Sequence, residues 1–168
     1  MLRKCVWVSV VAVLALLPTV ANAQFQQGDW ELTLSGSGLS SDDFESTSLA
    51  ANGSIGYFFT DQLEGAIRQN VTYVNVEDDG DDFAGSTAVG VDFHFDLDRW
   101  QPFVGAFIGY RYGDAVEDDW FATPEGGLKY FVNNTTFIFG SVGYQFGFDS
   151  DDDLDDLWVY ALGIGFRW

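Results

Sequence analysis

Residues 157–168, LWVYALGIGFRW, alternate without a break. Trp158, Tyr160, Leu162, Ile164, Phe166 and Trp168 are large and apolar, and the residues between them are smaller and end in Arg167. A period of two is the signature of a β-strand with two unlike faces. In a sheet with one face in water, the face away from the core is polar. Here the bulky face carries aromatics and the other face carries glycine, so the chain must place its large apolar side chains against something other than water.

The same partition recurs along the sequence. Strand-like runs fall at 28–36, 47–59, 62–76, 83–95, 102–112, 120–132, 135–148 and 157–168, and none keeps a helical period for three turns. Leu49, Ala51, Ile55, Tyr57 and Phe59 share one side of their run, opposite Asn52, Ser54 and Gly56. Val104, Ala106, Ile108, Tyr110 and Tyr112 oppose Gly105, Gly109 and Arg111. The ionisable residues read in mid-strand, Glu64, Arg68, Asp92, Arg111, Glu125 and Lys129, all land on the small face.

Eight strands close around too little space for the many bulky side chains, whereas glycine, serine and a few ion pairs fit. The bulky face is therefore predicted to point outward into lipid, and a closed sheet satisfies its backbone there. The fold class that follows is all-β: an eight-stranded antiparallel up-and-down transmembrane β-barrel. Aromatics also cluster into two girdles. Tyr110, Trp120 and Trp158 lie toward one rim, and Trp30, Tyr57, Trp100, Tyr130 and Trp168 toward the other, as at the two interfaces of a bilayer.

Connections differ between the rims. Three are short and turn-like, while four carry the acidic runs GLSSDDFES, EDDGDD, GDAVEDD and DSDDDLDD. Hairpin ends alternate, so all four acidic loops share one rim. Residues 1–23 read as a signal peptide: Arg3 and Lys4, then an apolar stretch, then a small-x-small cleavage site at Ala21 and Ala23. Residues 24–168 then form the barrel domain. Setting Arg3 and Lys4 aside leaves five basic residues against 26 acidic ones, a formal charge of −21. That balance argues against nucleic acid as a partner. The lone cysteine, Cys5, lies in the leader and rules out disulfides in the remainder.

The mature segment resembles the small OmpA/OmpX-type outer-membrane β-barrel proteins. Its ending, with Tyr160, Leu162, Ile164, Phe166 and Trp168 alternating to an aromatic last residue, is similar to their C-terminal insertion signal, although phenylalanine is commoner at that position. The resemblance implies a bacterial outer-membrane location, periplasmic termini, outer-membrane lipid and lipopolysaccharide as surroundings, and handling by the barrel-assembly machinery. A monomer is expected. The role expected is structural or surface-interaction (envelope integrity, adhesion). The alternatives are a channel for small or hydrophobic solutes, a lipid A-modifying enzyme, and a soluble periplasmic barrel.

Several local expectations follow. The six lumen charges are expected to pair three against three and plug a narrow barrel, with Phe58, Phe107, Phe121, Phe137 and Phe139 filling more of the space. His94 is expected to face inward without catalysis. Deacylases of this resemblance use a His-x-Ser pair, and here the run is His94-Phe95-Asp96. Asp149, Asp151, Asp153 and Asp155 alternate and are candidate Ca²⁺ or Mg²⁺ ligands bridging to anionic lipid. Melting in detergent with chelator against calcium tests that idea. No other cofactor is expected. Pro124 removes a ladder donor and is expected to force a bulge or a shorter sixth strand.

Overall fold

The computed structural model describes residues 25–40, 46–76, 80–114, 119–148 and 157–168. Residues 1–23, where a signal peptide with cleavage at Ala21 and Ala23 is expected, and Asp149, Asp151, Asp153 and Asp155 lie outside them.

Eight strands close into one barrel in chain order, every neighbouring pair antiparallel. They are β1 (Trp30–Ser40), β2 (Ser46–Phe58), β3 (Leu63–Val76), β4 (Gly80–His94), β5 (Trp100–Gly113), β6 (Asp119–Phe131), β7 (Thr136–Gly147) and β8 (Leu157–Arg167). β8 returns to β1 through the rows Glu31↔Arg167 to Ser35↔Gly163. Trp30 and Trp168 complete the seam by exchanging backbone hydrogen bonds at 2.9 and 3.1 Å.

The strands reach further into the acidic runs than the alternation suggests. β1 continues to Ser40 where the pattern ended at 36, and β4 begins at Gly80, so Asp81 and Asp82 stand on the strand. Ladder hydrogen bonds can extend a strand beyond its apolar segment, because the backbone pairs whatever the side chains are.

Pro124 produces neither a bulge nor a short strand, which corrects the sequence reading. β6 spans 13 residues. Ala122↔Phe146 and Glu125↔Gly143 keep one register, and only the two rows between them drop out of the ladder with β7. On its other side Pro124 stays paired with Ala106. The missing N–H is thus accommodated by a local gap in one ladder.

Polar side chains fold the tight turns. The carboxylate of Asp96 accepts the Asp98 N–H at 3.1 Å, which supports the positive φ of Asp98 (65°). Asn133 Oδ1 accepts the N–H groups of Thr135 and Thr136, both at 2.9 Å. Both are Asx-type turns.

The large apolar side chains point away from the barrel axis. Leu162 is 77% exposed, Tyr160 74% and Trp158 62%, with Ile67, Val89, Val91, Val104 and Ile108 in the same band. The girdle aromatics form direct cross-strand pairs. Trp30 packs on Tyr57 (ring centroids 5.2 Å) and Trp100 on Tyr130 (4.5 Å) near the short turns. Tyr110 packs on Trp120 (5.4 Å) and Tyr144 on Trp158 (5.2 Å) near the loop end. Such pairs add about 0.5–1.5 kcal/mol each beyond area burial.

Inside, small and large residues interlock. Any side chain at Gly165 would collide with the Phe137 ring, one at Gly90 with Phe107, and one at Gly56 with the Glu64 carboxylate. Glycine on the lumen face therefore leaves room for a neighbour's bulk.

Candidate functional site in the barrel lumen

The lumen is layered along its axis, and the register of the strands sets the layers. At the short-turn end an aromatic floor closes it. Phe25, Phe58, Phe131 and Phe137 are fully buried against one another, with Phe25 stacked on Phe58 at 4.1 Å. Phe25 precedes β1 and reaches the floor because the chain reverses at Gly28. That residue has φ +95°, a region open to glycine at no steric cost. Gly28 donates to the Phe58 carbonyl at 2.9 Å, and the Gln27 N–H donates to Asp61 at 2.8 Å.

Above the floor lies a buried charge cluster. Lys129 Nζ donates to both oxygens of Glu31 at 2.6 Å and to Glu64 Oε2 at 3.4 Å. Lys129 is on β6 and Glu31 on β1, so this bridge crosses the lumen. His94 Nε2 sits 3.5 Å from Glu64 Oε2, and its ring tilts against Phe25, Phe58 and Phe103. Among the described residues neither His94 nitrogen has a hydrogen-bond partner. Glu31, Glu64 and His94 converge closely enough to ligate a metal ion, but the Lys129 ammonium already bonds both carboxylates.

A second cross-lumen bridge follows. Arg68 on β3 holds Glu125 on β6 with two hydrogen bonds, at 2.8 and 2.9 Å, and its guanidinium lies 3.9 Å from the centre of the Phe107 ring. The bidentate fork is the strong form of this pairing. Arg68 and Glu125 line two separate spaces and form the septum between them. Below is a polar chamber of about 50 Å³ that also touches Glu31, Glu64, Asp92 and Lys129. Above, toward the loop end, is a cavity of about 270 Å³.

The six lumen charges predicted from sequence all face inward, but not as three closed pairs. The structure brings together Arg68 with Glu125 and Lys129 with Glu64. Arg111 pairs instead with Asp119 at 3.4 Å, a residue assigned to an acidic loop by its neighbours. Asp92 joins no ion pair among the described residues, and its Oδ1 is buried without a hydrogen-bond partner. Glu31, the tightest partner of Lys129, was missed because it stands next to Trp30 at the edge of its strand. Its parity with Thr33 and Ser35 was the available signal. Phe58, Phe107, Phe121 and Phe137 are buried inward as expected, with Phe139 packed against the floor.

A closed eight-stranded antiparallel barrel, apolar outside and salted inside, is the architecture of the small outer-membrane β-barrels. No family model matches the chain. Solved structures do. OprG from Pseudomonas aeruginosa superimposes with a TM-score of 0.64 at 14% identity, covering 88% of this chain and 99% of that one. The N-terminal β-barrel domain of Pseudomonas aeruginosa OprF gives 0.56 at 22% identity, covering 86% and 100%. Neisserial surface protein A gives 0.55 at 14%, covering 83% and 94%. The protein has the fold of these outer-membrane barrels.

Proposed function

We propose that the protein is an integral barrel of a bacterial outer membrane with a structural or surface-interaction role, non-catalytic and closed to ions. In this reading the short turns and both termini lie in the periplasm and the acidic loops face outward. The surroundings are outer-membrane lipid and lipopolysaccharide, with divalent cations between loop carboxylates and anionic headgroups. The barrel-assembly machinery acts on β8 during insertion, and the barrel works as a monomer.

The observation that carries the proposal is the pairing of an outward apolar belt with a blocked interior. Only lipid favours that belt. An axial path for ions would have to pass the Phe25–Phe58–Phe131–Phe137 floor and the Lys129 cluster. The fold itself hosts unrelated activities, so it is the packed floor and the Lys129 cluster that support a plug over a channel.

Planar bilayer recording is the test. The wild-type barrel is expected to give no stepwise conductance in molar KCl, and the double variant Phe25→Ala with Phe58→Ala is expected to give short openings. Steady wild-type conductance would overturn the closed-barrel reading in favour of a small-solute channel.

A further inference from the structure

The charge layer of the lumen is short of positive charge. Glu31, Glu64, Asp92 and Glu125 line the polar chamber against Arg68 and Lys129, four carboxylates to two cations. Arg68 is committed to Glu125 by its bidentate fork. Lys129 is left to serve three acids. It holds both oxygens of Glu31 at 2.6 Å and reaches Glu64 by one 3.4 Å contact. Asp92 Oδ1 stays buried without a partner among the described residues. Asp92 also stands directly opposite Glu64 in the β3–β4 ladder, where like charges are destabilising.

A second observation comes from the histidine beside this layer. His94 is 1% exposed, and both its ring nitrogens lack a partner among the described residues. Phe25, Phe58 and Phe103 pack around its ring, with Nε2 3.5 Å from Glu64 Oε2. One ligand atom from each of Glu31, Glu64 and His94 lies within 4.8 Å of the others. Buried polar groups without partners are uncommon and call for a cause. Water in the chamber could bond them, but it brings no charge. A divalent ion brings the two charges that the layer lacks.

We propose that Glu31, Glu64 and His94 bind one divalent metal ion of the zinc class, with Lys129 turning to Asp92 as the ion enters. Two carboxylates and a neutral imidazole are a zinc-type donor set, and imidazole favours such ions over calcium or magnesium. Zinc–ligand bonds of about 2.0–2.2 Å need the three atoms to close by up to roughly 1.5 Å, a rotation of two glutamate side chains. Asp92 and Lys129 line the same chamber, so the ammonium exchanges one carboxylate for another without leaving the layer. This site differs from cation bridges at the rim in both donors and place, and its test is independent of conductance.

The barrel is refolded into non-ionic detergent with Zn²⁺ present, because the aromatic floor and the Arg68–Glu125 septum bound the chamber at its two ends. After weakly held metal is stripped on a chelating resin, one zinc per barrel is expected to remain, with a shift of the isotope-labelled imidazole by NMR. His94 is the sole histidine, so that signal has one source, and zinc on loop carboxylates leaves it unmoved. Ca²⁺ is expected neither to shift it nor to displace the zinc. His94→Ala is expected to weaken zinc binding by about a hundredfold or more, beyond the loss of an outer-shell partner. Glu64→Gln is expected to do the same and serves if His94→Ala does not refold. Asp92→Asn takes away the alternative partner of Lys129 and is expected to weaken binding about tenfold. Lys129→Met removes the competing cation, so its urea midpoint is expected to rise with Zn²⁺ by more than that of wild type. Zinc retained without change at the imidazole, wild-type affinity in His94→Ala or Glu64→Gln, or no zinc in wild type and Lys129→Met alike would overturn the proposal.

Discussion

Replacing Lys129 with methionine is expected to cost about 3–5 kcal/mol of folding free energy, the range for breaking a buried ion pair by removing one partner. The magnitude comes from what is left behind. Lys129 is 3% exposed, Glu31 4% and Glu64 2%, and one ammonium bonds both carboxylates. Without it the two acids face each other across a chamber of about 50 Å³, with room for one or two waters. Desolvation and like-charge repulsion then act together. A triple variant, Lys129→Met with Glu31→Gln and Glu64→Gln, removes the stranded charge and is expected to recover most of the loss. The measurement is urea unfolding in lipid vesicles, read as midpoint and slope. A Lys129→Met variant within about 1 kcal/mol of wild type would mean the lumen is wet enough to solvate its acids, and a wet lumen contradicts the blocked interior.

Leu162→Arg is expected to destabilise the barrel in a bilayer by about 2–4 kcal/mol, the cost of arginine near the midplane of an outer-membrane strand. Leu162 lies at the middle of β8, opposite Gly140, and is 77% exposed. In a water-soluble protein such a position tolerates arginine within about 0.5 kcal/mol. The sign and size of the effect therefore report which solvent surrounds β8. Ala161→Ser, one residue earlier on the lumen face, is expected to change stability little. The check is the same vesicle unfolding experiment, with wild type and both variants in one lipid.

Which residues face in and which face out is legible in the sequence, because alternation ties facing to parity and a slip of one residue would invert every strand. Glycine and serine between aromatics also reveal which face is outside, since only the inner face of a narrow barrel must be small. The partners of the lumen charges were not legible. Arg68 and Glu125 sit on β3 and β6, and Lys129 and Glu31 on β6 and β1. These strands are not neighbours, so the pairs meet only across the closed lumen. Their contact depends on closure and stagger, which local pattern does not encode. Phe25 was illegible for a different reason: it lies before the first strand, and its place in the floor depends on a reversal at Gly28. Pro124 removes a ladder donor and so suggested a bulge or a shorter strand, yet the ladder with β5 and the rows on either side held the register.

Tryptophan quenching by brominated lipid tests most directly which way the bulky side chains look. Trp30, Trp100, Trp120, Trp158 and Trp168 all stand on the outer face, near its two edges. For the barrel refolded into vesicles, strong quenching is expected from lipids brominated high on their acyl chains, with little quenching by aqueous iodide. Fluorescence indifferent to brominated lipid but quenched by iodide would place those rings in water and contradict a membrane-spanning barrel.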